Sequence, residues 1–135
     1  MTRARAPLVL VVEDNAANMA LTTTLLEIEQ CPFVTAIDIE RGEEWLQKVR
    51  PSLVLLDIQL PGGGGELLLR SIRAMPELAR IPVFAVTALA MDGDRERLLR
   101  EGFDEYVSKP LDTRAFRALV RRHLDELTAP SAEPG

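Results

Sequence analysis

Residues 53–57, Leu-Val-Leu-Leu-Asp, place four branched apolar residues in a row and then stop on an acid. Such a run reads as a strand buried on both faces, as the parallel strands of α/β proteins are. Ligand crevices in open α/β sheets lie just beyond the carboxyl ends of the strands. Asp57 therefore stands where chemistry is done. It equally suits an ordinary strand-ending turn, and taken alone it does not choose between the two.

The same device recurs along the chain. Residues 8–12, Leu-Val-Leu-Val-Val, form a second buried-type strand that ends on Glu13-Asp14. A helix follows from Asn15, with Ala17, Leu21, Leu25 and Ile28 at helical spacing as its expected buried face. Asp14 or Asn15 suits the N-cap, so the acid pair also reads as a simple helix start. Asn18, Met19, Thr22 and Leu26 form a further, partly apolar face, which is either the rim of the core or a shallow docking patch.

Pro32 breaks this helix, and residues 33–38 read as an edge strand. Residues 40–50 are helical, with Trp45, Leu46 and Val49 apolar and Pro51 closing the segment. After the central strand come Pro61 and four glycines, Gly62 to Gly65. A phosphate loop requires Lys followed by Ser or Thr after its glycines. Here Glu66-Leu67 follows, so the glycines are expected to give a mobile loop before a helix over 66–75.

Residues 81–87 form a fourth strand ending on Thr87, and 92–101 a short charged helix held mainly by Leu98 and Leu99. So few anchors predict an element that shifts at low cost. Gly102 suits its C-terminal stop. A fifth strand over 104–108 leads to Lys109-Pro110, and a last helix from about Asp112 buries Phe116, Leu119, Val120 and Leu124. His123, the sole histidine, is expected to be a solvated residue of that helix.

Residues 1–7 read as a flexible leader, 8–127 as one domain and 128–135 as a disordered tail. Five strands alternating with five helices imply right-handed crossovers and three layers around a parallel sheet. At 135 residues one domain is expected, with roughly 68% of the unfolded surface buried. The net charge of −5 argues against nucleic acid as a partner. The apolar stretch 81–91 is too short to cross a membrane, and no cleavable signal precedes residue 8. A single cysteine, Cys31, forms no internal disulfide, and a cytoplasmic location is expected.

Four strands thus end on groups suited to phosphate: Glu13-Asp14, Asp57, Thr87 and Lys109. All would meet along one edge of the sheet. Carboxylates about 4 Å apart repel by roughly 4 kcal/mol per pair at an effective dielectric of 20. Lys109 supplies one compensating charge, and a hard divalent cation, Mg²⁺, is expected to supply the rest. A nucleophile, a metal, a hydroxyl and a fixed cation are the parts for in-line attack of a carboxylate on phosphorus.

On these residues the chain resembles the receiver domain of bacterial response regulators. The matching pieces are Val12-Glu13-Asp14-Asn15, Leu56-Asp57-Ile58-Gln59-Leu60-Pro61 with Gly65 eight residues past the acid, Val86-Thr87-Ala88, and Tyr106-Val107-Ser108-Lys109-Pro110. The resemblance implies a flavodoxin-like (βα)5 fold with a five-stranded parallel sheet in the order 2-1-3-4-5. It implies that Asp57 is the phosphoacceptor, taking its phosphoryl group from a phosphohistidine. Glu13 (through water), Asp14, Asp57 and the Gln59 backbone carbonyl are the implied Mg²⁺ ligands. Thr87, Ala88 and Lys109 bind the phosphoryl group, and the Lys109-Pro110 peptide is expected to be cis. Thr87 and Tyr106 form the implied switch, although Tyr106 also reads as a half-buried strand aromatic. Gln59 and Ala88 are expected to influence the lifetime of the phosphorylated state.

No DNA-binding or catalytic module is expected after the fifth helix. The chain is similar to single-domain regulators of cell fate and to receivers of hybrid histidine kinases. Expected partners are a histidine kinase or histidine phosphotransfer protein and a downstream protein target, docked through Asn18, Met19 and Leu26. A monomer or weak dimer is expected, catalysing no reaction beyond its own phosphorylation and dephosphorylation. The competing readings are a small Mg²⁺ phosphatase with an Asp nucleophile, which wants a second Asp where Gln59 stands, and a binding module that is never phosphorylated.

Overall fold

A computed structural model describes residues 8–60, 64–88, 93–109 and 111–128, with side chains through residue 125. Five strands alternate with five helices: β1 (Val9–Val12), α1 (Ala16–Ile28), β2 (Phe33–Ala36), α2 (Ile39–Lys48), β3 (Leu53–Asp57), α3 (Gly65–Ala74), β4 (Val83–Thr87), α4 (Asp94–Glu101), β5 (Glu105–Ser108) and α5 (Thr113–Thr128). The strands form one parallel sheet in the order β2-β1-β3-β4-β5. The expected fold and strand order are both present, with β2 at an edge.

Successive side chains on a strand face opposite ways, and the apolar runs divide accordingly. Leu10, Val12, Val54, Leu56, Val83 and Ala85 pack with Leu46, Leu68, Leu69, Ile72 and Leu98 from α2, α3 and α4. Val9, Val11, Leu53, Leu55, Phe84 and Val86 pack on the other side with Leu25, Leu26, Phe116, Val120 and Leu124 from α1 and α5. A strand covered on both sides needs apolar residues at every position, which is why the central runs carry no polar alternation.

Helix α1 is turned from its expected orientation. Thr22, Leu25 and Leu26 are its buried residues, whereas Ile28 is 53% exposed and Ala17 is exposed. The sequence offers two overlapping apolar stripes, and the seat between the sheet and α5 takes the middle of both: Leu25 and, in part, Leu21 from the expected face, with Thr22 and Leu26 from the second. Leu26 is 0% exposed and so cannot belong to a docking face, which corrects that assignment. Asn18 and Met19 remain partly exposed.

The glycines at the exit of β3 also differ from expectation where they are described. A Cβ on Gly65 would lie 2.8 Å from Leu56 Cγ and 2.9 Å from the Asp57 carbonyl oxygen. Only a residue without a side chain lets α3 begin this close to the end of β3. Gly65 is thus a packing requirement, not a source of mobility; Pro61, Gly62 and Gly63 lie outside the described residues.

Helix α4 ends as read, on Gly102 with φ +115°, whose N–H bonds to the Leu98 and Leu99 carbonyls. Leu98 is fully buried, but Leu99 is 37% exposed and anchors little. His123 is not a freely solvated side chain either: it is 18% exposed, and its ring meets Phe84 edge-on with centroids 4.8 Å apart. Helix α5 extends through Thr128, and the expected leader, residues 129–135 and Pro110 with its peptide bond lie outside the described residues.

Candidate functional site

The site lies at the carboxyl edge of the sheet, where β1 and β3 run in register from Val9↔Leu53 to Val12↔Leu56. Both chains therefore leave the sheet at the same height. Asp57 is the last residue of β3, and Glu13 follows β1, its N–H bonded to the Ala36 carbonyl at 2.9 Å. Asn15 caps α1, its side chain accepting from the Asn18 N–H at 2.9 Å. That leaves the neighbouring Asp14 carboxylate exposed at the rim instead of engaged as the cap.

Glu13 and Asp57 are buried, at 4% and 3% exposure. Together with Asp14 they bring three carboxylate oxygens within 4.8 Å of one another. Lys109 follows β5 and is fixed by its N–H to the Thr87 carbonyl at 2.8 Å. Its ammonium reaches back across the sheet edge to Glu13 Oε1 at 2.9 Å and Asp57 Oδ2 at 3.2 Å. The acids from two neighbouring strands and the lysine from the far edge converge as the sequence predicts.

The shifts at Glu13 and Lys109 follow from two buried acids sharing one lysine. Burial pushes the Glu13 carboxyl above its ordinary range; Lys109 pulls it back, but Asp57 adds repulsion. For Lys109, burial disfavours the ammonium, yet hydrogen bonding and charge from Glu13 and then Asp57 outweigh it and raise its pKa. Three acids against one ammonium leave a formal deficit of positive charge, and the ligand atoms on offer are all hard carboxylate oxygens. Oxygen donors of this kind suit a small divalent cation.

Thr87 closes β4 with its residue fully buried, beside Asp57 on the adjacent strand, where Asp57 pairs with Val86. Gln59 connects the two strand ends. Its backbone N–H donates to Asp57 Oδ1 at 2.9 Å, and its side-chain oxygen accepts from the Ala88 N–H at 3.0 Å and the Thr87 hydroxyl at 3.4 Å. The sequence points to the Gln59 carbonyl and to an influence on lifetime without a direction; it does not disclose where the side chain reaches. A long amide two residues past a strand-ending acid is the one signal that pointed to it. Tyr106 is half-buried in β5 and packs against the face that carries α2, α3 and α4, with Ala85 of β4 as its cross-strand partner.

Comparison with known proteins agrees with this geometry. Residues 9–121 match the family model for the response regulator receiver domain. The polar-differentiation response regulator DivK of Brucella anthropi is 36% identical over 118 residues, covering 87% of this chain and 96% of that protein. Its counterpart from Brucella ovis is 38% identical over the same shares. A receiver domain of a sensor histidine kinase from Pseudomonas aeruginosa, solved with a magnesium ion coordinated in its active site cleft, superposes with a TM-score of 0.76 at 29% identity, covering 93% of this chain and 100% of that one. A CheY-like receiver protein from Methanospirillum hungatei gives a TM-score of 0.79 at 26% identity, covering 91% and 97%. No helix among the described residues is long and apolar enough to cross a membrane. Strand order, the acids at the sheet edge and relatives matched over almost their full length all lead to one assignment: the chain belongs to the response regulator receiver domains of two-component signalling.

Proposed function

We propose that Asp57 accepts a phosphoryl group from the phosphohistidine of a histidine kinase or histidine phosphotransfer protein. One observation carries this reading: a buried carboxylate at the tip of the central strand is held by both an ammonium and a backbone N–H, with two further acids beside it. An Asp57 carboxylate oxygen attacks phosphorus as the P–N bond of the phosphohistidine breaks, and the imidazole leaves with its electron pair and keeps one proton. Lys109 pairs with the phosphoryl oxygens, while the Thr87 hydroxyl and Ala88 N–H donate to them. Positioning and charge neutralisation are what such a transfer asks of a protein.

The residues fit Mg²⁺. Glu13 (through water), Asp14, Asp57 and the Gln59 carbonyl would hold it, and when bound it neutralises charge on the transferred group. Thr87 turning toward the phosphoryl group frees space for Tyr106 to move inward, which alters the surface of α4, β5 and α5 for a downstream protein. Asn18 and Met19 on α1, close to Asp14, form part of the face that meets the phosphodonor. The protein works in the cytoplasm, as a monomer or weak dimer, and catalyses no reaction beyond its own phosphorylation and dephosphorylation.

The test is incubation with acetyl phosphate and Mg²⁺ followed by intact-mass measurement. A gain of one phosphate that disappears in Asp57→Asn is expected. Catalytic release of free phosphate from many esters, without a stable adduct, would favour the phosphatase reading instead.

A further inference from the structure

Gln59 is exposed, so nothing about burial obliges its side chain to find a protein partner. Yet its amide oxygen takes the Ala88 N–H at 3.0 Å and the Thr87 hydroxyl at 3.4 Å. The oxygen assignment is chemically forced, because a backbone N–H requires an acceptor and the amide nitrogen is a donor. Through its own N–H, Gln59 also holds Asp57 Oδ1 at 2.9 Å. One residue therefore touches the acid with its backbone and the end of β4 with its side chain.

The two donors that Gln59 occupies are the ones assigned above to the phosphoryl group. The Ala88 N–H carries a single hydrogen, so the amide oxygen at 3.0 Å must be exchanged before a phosphoryl oxygen can take it, and the Thr87 hydroxyl lies within reach of the same amide oxygen at 3.4 Å. We infer that Gln59 is a positioning residue: its amide oxygen holds the Thr87 and Ala88 donors while Asp57 is unmodified and competes with the phosphoryl group for them. The inference rests on the proposed phosphoacceptor role of Asp57. A charged phosphoryl oxygen is the stronger acceptor, so the exchange runs toward the phosphorylated state. Part of the gain is spent on displacing the amide, and the population of the active form is correspondingly lower.

The experiment titrates wild type, Gln59→Met and Gln59→Asn with beryllofluoride at saturating Mg²⁺, and follows the Ala88 amide by NMR before and after. Methionine keeps the length but replaces the amide oxygen by a thioether, a far weaker acceptor; asparagine keeps the amide without the reach. Both leave the backbone carbonyl and N–H of residue 59 in place. Both variants should bind beryllofluoride about five-fold more tightly, the size of one net hydrogen bond. In the free proteins the Ala88 amide proton should move upfield in both variants relative to wild type. Unchanged or weaker binding in the variants, or an unmoved Ala88 amide, overturns the role of Gln59 while wild-type binding leaves the phosphoacceptor reading intact. Failure of wild type itself to bind beryllofluoride overturns both.

Discussion

Lys109→Met removes a charge while keeping chain length and most of the packing. In the native site the ammonium lies 2.9 Å from Glu13 and 3.2 Å from Asp57, with its side chain 12% exposed. Without it, two buried carboxylates face each other with oxygens no more than 4.8 Å apart. At that separation and an effective dielectric of 20 they repel by roughly 3.5 kcal/mol. Binding a proton relieves part of this, and burial already holds the Glu13 carboxyl above its ordinary range. The net loss of folding stability should be about 3 kcal/mol at pH 7.5 in EDTA, the low end for breaking a buried charge pair.

The pH dependence has a definite sign. Lys109 is raised above 10.5 in the folded state, so its contribution is complete below that value and fades only as pH rises through the folded pKa. Between pH 5 and 7.5 the lysine side is constant, and any change in the gap comes from the acids. Glu13 is raised above 4.5, so its contribution is full below 4.5 and is lost as pH rises through the folded value. Removing Lys109 raises it further. The gap between wild type and Lys109→Met should therefore narrow toward pH 5, and saturating Mg²⁺ at pH 7.5 should close much of it. Urea unfolding followed by the fluorescence of Trp45, the single tryptophan, measures each quantity. Equal stabilities at pH 7.5 in EDTA, or a gap indifferent to pH, would refute the charge argument.

Gly65→Ala should destabilise by about 2 kcal/mol, an overpacking loss reduced by the helix preference of alanine, and lower the melting temperature by roughly 8 °C; a stabilised variant would show that the glycine serves only chain freedom. Arg117 and then Arg121 hold the Glu29 carboxyl below its ordinary range. Its contribution is thus present above pH 4.5 and lost as pH falls through the folded pKa. With both arginines over 40% exposed, Glu29→Gln should cost only about 1 kcal/mol at pH 7, and equilibrium unfolding should show that loss vanishing in acid. Met19→Glu should slow transfer from the histidine phosphodonor at least ten-fold while acetyl phosphate still labels Asp57; equal loss with both donors counts against a docking role.

What the sequence disclosed was whatever depends on a strand alone. A strand covered by helices on both sides must be apolar at each position, so β1 and β3 were visible as uninterrupted runs, and the residues that stop them marked the sheet edge. Asp57, Glu13 and Lys109 met because parallel register carries every strand to the same edge. Features set by a distant neighbour were not legible. The seat of α1 was decided by α5 and the sheet, which bury Leu26 and leave Ile28 outside. His123 was removed from solvent by Phe84, 39 positions away in sequence. Gly65 carried no local signal of its role, since the atoms it must clear belong to Leu56 and Asp57. The Gln59 side chain offered only its length and position as a sign: its partners lie at the end of the next strand, and an exposed amide is ordinarily solvated.

The switch proposed for Thr87 and Tyr106 makes the least anchored helix, α4, the element in which to look for a change at the molecular surface. Eight residues are too few for a helix to hold without tertiary support, and Leu98 is the only buried residue of α4. Its two ends are built differently. The N-cap, Gly93, has no side chain to bond the first turn. Beyond the C-terminal end, Arg73 from α3 bonds the Gly102 carbonyl at 2.7 Å and Asp104 at 2.9 Å, and Asp104 also accepts from the Val83 N–H at 2.7 Å. Arg73 thus ties the C-terminal end of α4 to α3 and β4, and the proposed movement of Thr87 and Ala88 is expected to show in the N-terminal turn of the helix. Hydrogen exchange should change on beryllofluoride binding at Asp94–Arg97 and stay constant at residues 99–103. A uniform change along the whole of α4 would show that the helix moves as one body and that Arg73 fixes nothing.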